Sequence, residues 1–230
     1  MAMTTEEFII KMREIKNMGF VKSLRKGPTG IGYTLESLLG IKENALASPD
    51  LGKVELKAHR SESTSMITLF TFNRKVWKMP PLEAIKKYGS YDNNHRLGLY
   101  YTMSLKPNSH GLFLYVAEDT ISVRHIDGIT IAEWNLEALT EQFNHKIPSL
   151  VLVYANTEER DGNEFFFFNR AVIMHNTTKQ ILFNQFMNEN LLVDLRLHDK
   201  VTMARNHGTG FRAKEDRLIE LFANTTDLDI

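Results

Sequence analysis

Periodic and alternating apolar positions divide the sequence into short helices and a larger number of strands. Residues 4–18 carry apolar side chains at helical spacing, and Thr4 and Glu7 have the spacing of a capping box, which predicts an amphipathic helix. A second, short helix is predicted from about Tyr33 to Leu39, after a basic and glycine-rich loop.

Strand patterns dominate the remaining sequence. Strands are predicted near 54–57, 66–72, 97–104, 112–116, 120–126, 129–134, 150–154, 164–174 and 191–198, and further helices over 82–88, after Asn135, over 177–188 and over 214–222. Residues 224–230 are expected to form a frayed tail. Together these patterns predict one mixed α/β (α+β) domain with a central mixed sheet flanked by helices.

The most informative strand pattern lies within residues 49–57, which have the sequence PDLGKVELK. Because side chains alternate between the two faces of a strand, Glu55 and Lys57 share one face and their apolar neighbours share the other. Asp50 lies just upstream and can bring a second carboxylate to the same strand end. Two carboxylates beside an ammonium suit a hard divalent cation and a bound water, although a solvated strand face with a local ion pair has the same pattern.

Composition narrows the possible functions only moderately. The chain has 230 residues, 43% of them hydrophobic and 24% charged, which is typical of a globular domain. It contains no Cys, which excludes thiolate zinc sites, disulfides and cysteine nucleophiles, and it contains no apolar run long enough to cross a bilayer. A cytoplasmic protein without membrane association is therefore expected.

Positive charge is concentrated in a few segments, although the formal net charge is zero. A neutral chain lacks the basic excess typical of nucleic-acid binders, but one basic face remains compatible with that function. Arg25 and Lys26 begin the glycine-rich loop, whose backbone amides suit a phosphate group, although such a loop also serves simply to start a helix. Residues 200–214 include Arg205 and Arg212 and no acidic residue.

An ordered set of motifs in the sequence resembles the motifs of one known enzyme family. In chain order the segments are GPTGIGYTLESLLG, PDLGKVELKAHR, SMITLFTF, LVLVY, LLVDLRL and HGTGFR. Together they resemble the MvaI/BcnI-type restriction endonucleases, the MutH-like branch of the PD-(D/E)xK nuclease superfamily. The resemblance covers most of the chain, and residues 73–110 are the region in which no motif matches.

The resemblance implies a restriction-endonuclease-like core with two lobes around a DNA cleft. Within a single domain over residues 1–230, it places a catalytic lobe at about 1–75 plus 110–175. A DNA-recognition portion is expected at about 176–222.

The resemblance also implies a magnesium-dependent active site. Asp50 and Glu55 would bind Mg²⁺ together with the main-chain carbonyl of Leu56, and Lys57 would position the attacking water. Glu36, in the second predicted helix, matches the helical acid of the family and would order an outer water or a second cation. The chemistry agrees, because a bound metal lowers the pKa of water and stabilises the charge that develops on phosphate.

The same resemblance assigns residues to DNA recognition. Arg196 and Arg212 match arginines that contact guanines in relatives reading a CC/GG outer sequence, and a guanidinium suits guanine O6 and N7. An ion pair with a neighbouring strand is the alternative for Arg196. His207 is expected at a base or phosphate, or as a brace of its loop, and Arg205 is a further DNA-binding candidate in that loop.

The residues Thr71 and Phe211 resemble the branch of the family that reads A or T at the central base pair. We therefore expect a monomeric type II restriction endonuclease that cuts duplex DNA one strand at a time at a CC-N-GG-like site, with CC(A/T)GG as the narrower expectation. A cognate DNA methyltransferase is expected as a genetic neighbour. The alternatives are a MutH-like mismatch-repair nicking endonuclease and a catalytically inactive DNA-binding module. The intact Asp50, Glu55 and Lys57 argue against an inactive module.

Overall fold

The computed structural model describes residues 3–41, 46–48 and 52–230. The chain divides into two compact units, each assembled from separate stretches of sequence. Unit 1 comprises Met1–Ser65, Ile147–Asn176 and Phe222–Ile230, and unit 2 comprises Met66–Lys146 and Thr177–Leu221. Both units combine helices with β-sheet, which confirms the predicted α+β class.

Unit 1 is built around one sheet. Its described elements are α1 (Thr5–Asn17), β1 (Val21–Lys22), α2 (Gly30–Leu39), β2 (Leu46–Ser48), β3 (Gly52–Arg60), β10 (Ser149–Arg160), β11 (Asn163–His175) and β15 (Asn224–Leu228). The strand order is β1-β11-β10-β3-β2, with β15 also paired to β11. Because β3 and β10 run parallel while the other pairs are antiparallel, this sheet is mixed, as predicted.

The helices α1 and α2 and one face of this sheet form the core of unit 1. Buried members of the cluster are Phe8, Met12 and Ile15 from α1, Leu35 and Leu39 from α2, and Val54, Leu56, Val151, Val153, Phe166 and Phe168 from the strands. The predicted capping box at the start of α1 is present, since Thr4 Oγ1 accepts from Glu7 N at 3.2 Å and Glu7 Oε2 accepts from Thr4 N at 2.9 Å. The catalytic-strand candidate β3 is therefore anchored by its apolar face.

Unit 2 contains the larger share of the strands. Its described elements are β4 (Met66–Thr71), α3 (Pro81–Tyr88), β5 (Ser90–Tyr91), β6 (Leu97–Met103), β7 (Leu112–Val116), β8 (Thr120–His125), β9 (Thr130–Asn135), α4 (Leu136–Lys146), α5 (Lys179–Met187), β12 (Leu191–Asp199), β13 (Ala204–Asn206), β14 (Gly210–Lys214) and a 3₁₀ helix (Glu215–Leu221). An antiparallel sheet has the order β4-β14-β12-β6-β5, with β13 also paired to β12, and β7, β8 and β9 form a second sheet.

An aromatic cluster fills the core of unit 2. The ring of Phe211 is fully buried. Its centroid lies 5.1 Å from that of Phe70, 5.6 Å from that of Trp134 and 6.1 Å from that of Phe186. Phe211 therefore belongs to the core, so of the two residues compared with the A/T-reading branch only Thr71 has an exposed side chain.

One of the two predictions near the C-terminus is wrong. The predicted helix over 214–222 is present as the 3₁₀ helix Glu215–Leu221. Residues 224–228 pair with β11 as β15, whereas a frayed tail is expected from the sequence. Arg170 reinforces this pairing with two hydrogen bonds to Asp227, of 2.6 and 3.1 Å. Asn and Asp are depleted in strands, and the pairing depends on a distant strand edge, so local pattern does not show it.

The residues that make up the two units differ from those expected for the two lobes. Residues 66–75 and 110–146 belong to unit 2, together with 177–221. The functional division into a catalytic lobe and a DNA-recognition portion stays a prediction. None of the described helices is long and apolar enough to cross a membrane.

Candidate functional site

The predicted pair of charges lies on β3. Lys57 Nζ is 2.7 Å from Glu55 Oε1, and the two side chains are 27% and 30% exposed. Val54 and Leu56 are buried on the opposite face. The predicted alternation is therefore confirmed, and Glu55 and Lys57 form a half-buried ion pair that solvent can reach.

Apolar side chains of the neighbouring strand border this ion pair. In the parallel pairing of β3 with β10, Glu55 lies opposite Leu150 and Lys57 opposite Leu152, and both leucines are buried. His59 continues the same face of β3, where its ring packs edge-on against Tyr154 with centroids 5.5 Å apart. The ion pair thus lies beside an apolar surface, which strengthens its electrostatic interactions relative to water.

The remaining predicted active-site residues are only partly described. Glu36 is half-buried on α2, whose Leu35 and Leu39 belong to the core cluster that includes Val54 and Leu56. Asp50 lies outside the described residues. Within the described ranges no group of three or more His, Asp or Glu side chains could hold a metal ion. The metal-binding roles of Asp50, Glu55 and the Leu56 carbonyl stay predictions.

The basic loop before α2 is held by the strand that carries Lys57. Arg60, at the end of β3, donates to the carbonyls of Pro28 and Gly27 at 3.1 and 3.3 Å. The same guanidinium donates to both carboxylate oxygens of Glu164, at 2.6 and 2.9 Å. Arg25 and Lys26 are exposed on this loop. The loop is therefore fixed with its cations directed to solvent.

In unit 2, one side of the sheet presents a row of polar side chains around two arginines. We define the arginine face as Asp194, Arg196 and His198 of β12, Arg212 of β14, and Tyr100 and Thr102 of β6. Asp194 is buried, and it accepts from Arg196 Nε at 2.6 Å and from Thr102 Oγ1 at 2.9 Å. Arg212 Nη1 is 3.8 Å from the same carboxylate. One buried anion thus lies between two guanidinium groups.

The two arginines offer different donors to a ligand. The Arg196 side chain is 51% exposed, and apart from its bond to Asp194 it makes no hydrogen bond to the described residues. Both its terminal Nη groups remain available. Arg212 is 24% exposed, donates from Nη2 to the Met66 carbonyl at 2.9 Å, and has a buried Nε without a partner in the described part of the chain. Arg196 thus forms the ion pair that was its alternative role, but with Asp194 of its own strand and not with a neighbouring strand. Its side chain is still exposed.

The other predicted DNA-binding residues of unit 2 border the arginine face. Arg205 is exposed and lies opposite His198 in the pairing of β12 with β13. His207 is exposed, and its Nε2 is 3.1 Å from His198 Nδ1. Thr71 is exposed and lies opposite Gly210 in the pairing of β4 with β14. Unit 2 therefore brings together five of the predicted recognition residues, whose roles stay predictions.

Comparison with known proteins identifies the family. The sequence matches the MvaI/BcnI restriction endonuclease family over residues 9–222. The chain belongs to this family. One similar solved structure is the restriction endonuclease MvaI with its cognate DNA substrate, at 24% identity and a TM-score of 0.68, covering 97% of each chain. Another is MvaI in the absence of DNA, at 23% identity and a TM-score of 0.62, covering 99% of this chain and 98% of that one. No curated protein matches the sequence.

The family match confirms that the chain is a restriction endonuclease, and the structural likeness confirms the fold. In this endonuclease, sequence reasoning missed the structural roles of Asp194, His198 and Tyr100. Asp194 precedes Arg196 by two residues in a strand, which places both on one face, and that spacing was a usable signal. Tyr100 lies in the region 73–110 that lacks motifs, so no local signal assigned it to this face.

Proposed function

We propose that this restriction endonuclease hydrolyses phosphodiester bonds of duplex DNA at a CC-N-GG-like site, CC(A/T)GG in its narrower form, with Mg²⁺ as the metal. The observation that carries the proposal is the half-buried ion pair of Glu55 and Lys57 on β3. The similar fold of MvaI in complex with cognate DNA supports duplex DNA as the substrate.

The described part of the active site is chemically suited to Mg²⁺. Glu55 offers a partly exposed carboxylate that pairs with the Lys57 ammonium. Mg²⁺ prefers oxygen ligands, binds few carboxylates and keeps several waters, so Glu55, Asp50 and the Leu56 carbonyl would suffice as protein ligands. When bound, the metal would lower the pKa of a water and stabilise negative charge on the phosphate. Lys57 would donate a hydrogen bond to the attacking water.

Base recognition is assigned to the arginine face. A guanidinium can donate two parallel hydrogen bonds to guanine O6 and N7, which contributes about 1–3 kcal/mol of discrimination for each good pair. Arg196 meets this requirement directly, because Asp194 fixes its Nε and leaves both Nη groups available. Arg212 is assigned to a second guanine. Arg25, Lys26 and Arg205 are assigned to the DNA backbone, where cations position the duplex without reading its sequence.

Cleavage of plasmid DNA tests the proposal. We expect defined fragments with Mg²⁺ and none with a chelator, and sequencing of the fragment ends would give the recognition site and the cut position. Lys57→Ala should abolish cleavage and retain DNA binding, while Lys106→Ala, an exposed lysine of unit 2, should cut normally. Full activity of Lys57→Ala would refute its role, and binding without any cleavage by the wild type would identify a catalytically inactive module.

The expected monomeric state predicts an intermediate. One active site must cut the two strands in successive events, so a nicked circle should accumulate before the linear product. A mismatch-repair nicking enzyme would stop at the nicked circle. Protection of the plasmid by a methyltransferase encoded beside this gene would place the enzyme in a restriction-modification system.

A further inference from the structure

Two histidines and a tyrosine form a hydrogen-bonded cluster at the end of the arginine face. His198 Nδ1 is 2.9 Å from Tyr100 Oη and 3.1 Å from His207 Nε2. The His198 and His207 rings lie 27° from parallel, with centroids 4.9 Å apart. His198 is buried, whereas Tyr100 and His207 are exposed. The buried ring therefore contacts both exposed side chains through one nitrogen.

The surroundings of His198 favour a neutral ring. Burial lowers the pKa of His198, and the positive charges of Lys200, Arg96 and Arg205 lower it further. At neutral pH and above, His198 therefore carries one proton, on either Nδ1 or Nε2. The position of that proton decides the role of His207.

The other nitrogen of His198 indicates where the proton lies. His198 Nε2 is buried and has no hydrogen-bond partner in the described part of the chain. A buried N–H without a partner is rarer than an unpartnered acceptor, because the donor loses its bond to water outright. This favours a proton on Nδ1, where Tyr100 Oη and His207 Nε2 can accept it.

A proton on His198 Nδ1 fixes the tautomer of His207. Nitrogens 3.1 Å apart cannot both carry a hydrogen along the line that joins them, so His207 Nε2 must be the acceptor. Neutral His207 then carries its proton on Nδ1. In the described part of the chain this Nδ1 has no partner, and the residue is exposed.

We propose that His198 is a positioning residue that holds His207 with an Nδ1–H donor directed to solvent, where it binds a hydrogen-bond acceptor of the DNA. The DNA part of this inference rests on the proposed function. Acceptors of the required kind are purine N7, guanine O6, thymine O4 and phosphate oxygen. The exocyclic amino groups of cytosine and adenine are donors and are excluded as partners.

Nitrogen-15 NMR of the histidine rings in the free, full-length protein tests the tautomer. Two-bond ¹H–¹⁵N spectra at pH 8 distinguish the Nδ1–H from the Nε2–H form. The signals of each ring are assigned from those that disappear in the spectra of His207→Asn and His198→Asn. We expect Nδ1–H in both rings, and in Tyr100→Phe we expect both forms unchanged. An Nε2–H form of either ring in the wild type would overturn the inference, whether or not the protein cuts DNA.

Equilibrium binding without metal tests the contact with DNA, using a duplex with the cleaved site and an unrelated duplex. His207→Leu should lose about two- to 13-fold in affinity, the contribution of one hydrogen bond, if the acceptor is a base, and for the specific duplex only. Similar losses on both duplexes would identify phosphate as the acceptor. His207→Asn, whose amide donates near the Nδ1 position, should recover part of the affinity. If His207→Leu bound the specific duplex as tightly as the wild type, the proposed DNA contact would be overturned. If the wild type showed neither specific binding nor cleavage, the proposed function would be contradicted, and the NMR test of the tautomers would still be valid.

Discussion

Replacing Asp194 by Asn tests whether one buried carboxylate organises Arg196 and Arg212, the two arginines proposed to contact guanines. Asn keeps the shape of the side chain and one acceptor oxygen, but it removes the negative charge that lies 2.6 Å from Arg196 Nε and 3.8 Å from Arg212 Nη1. Thr102 can still donate to the remaining oxygen. The substitution therefore changes charge while leaving the packing of β12 intact.

The expected loss of stability follows from the exposure of the partners. A hydrogen bond to a charged group contributes about 1.5–3 kcal/mol, and removal of one partner of a fully buried pair costs about 3–5 kcal/mol. Arg196 is 51% exposed, so water solvates much of the charge that loses its partner. We expect the free energy of unfolding to fall by about 1–3 kcal/mol.

A second effect should appear in DNA recognition. Without the carboxylate, both guanidinium groups become more mobile, and immobilising a flexible side chain on binding costs about 0.5–1.5 kcal/mol. Specific affinity should therefore fall by roughly 1–3 kcal/mol for the two arginines together, while affinity for an unrelated duplex changes little.

Urea unfolding and equilibrium binding to specific and unrelated duplexes measure both effects. Asp119→Asn is the matched control, because Asp119 is an exposed residue of unit 2 that pairs with Lys179. Its surface ion pair should contribute only about 0–1 kcal/mol and nothing to recognition. If Asp194→Asn unfolded at the wild-type urea concentration and discriminated between duplexes as well as the wild type, the organising role of Asp194 would be refuted.

Three further predictions concern other parts of the fold. Phe211→Ala should lower the free energy of unfolding by about 3–5 kcal/mol, measured by urea denaturation, because its ring is fully buried. Arg60→Lys keeps the charge but cannot bind Glu164 and two loop carbonyls at once, so affinity for all duplexes should fall together in a binding assay; an effect on the specific duplex alone would contradict it. Removal of residues 224–230 should lower the melting temperature by exposing the edge of β11, and an unchanged melting temperature would show that β15 adds no stability.

The local parts of the fold could be predicted from the sequence. The alternation of β3 and the capping box of α1 each depend on neighbours in sequence, and each is present. The strand at 224–228 was missed because its stability depends on the edge of β11, more than 40 residues away in the sequence. Long-range pairing leaves no periodic signal in a short polar segment.

In the candidate site, too, contacts between neighbours in sequence could be predicted and contacts between distant strands could not. Glu55 and Lys57 could be placed together because a strand fixes residues two apart on one side. The contact of His198 with Tyr100 joins residues 98 positions apart, and the spacing within each strand says nothing about which strands become neighbours. The burial of Phe211 follows the alternation of β14, in which Phe211 and Ala213 are buried and Arg212 and Lys214 are partly exposed.

The arginine face shows how a carboxylate two residues before an arginine can orient its guanidinium. A guanidinium has five N–H donors, and an unrestrained one can bind bases, phosphates or backbone carbonyls without preference. Asp194 takes the Nε donor of Arg196, which leaves the terminal fork as the part that can reach a base edge. A lysine in place of Arg196 would carry a single ammonium. A bond from that ammonium to Asp194 would leave no planar pair of donors oriented towards a base. Under the proposed function, discrimination by Arg196 would therefore depend on the Asp194 carboxylate that orients its guanidinium as well as on its own charge.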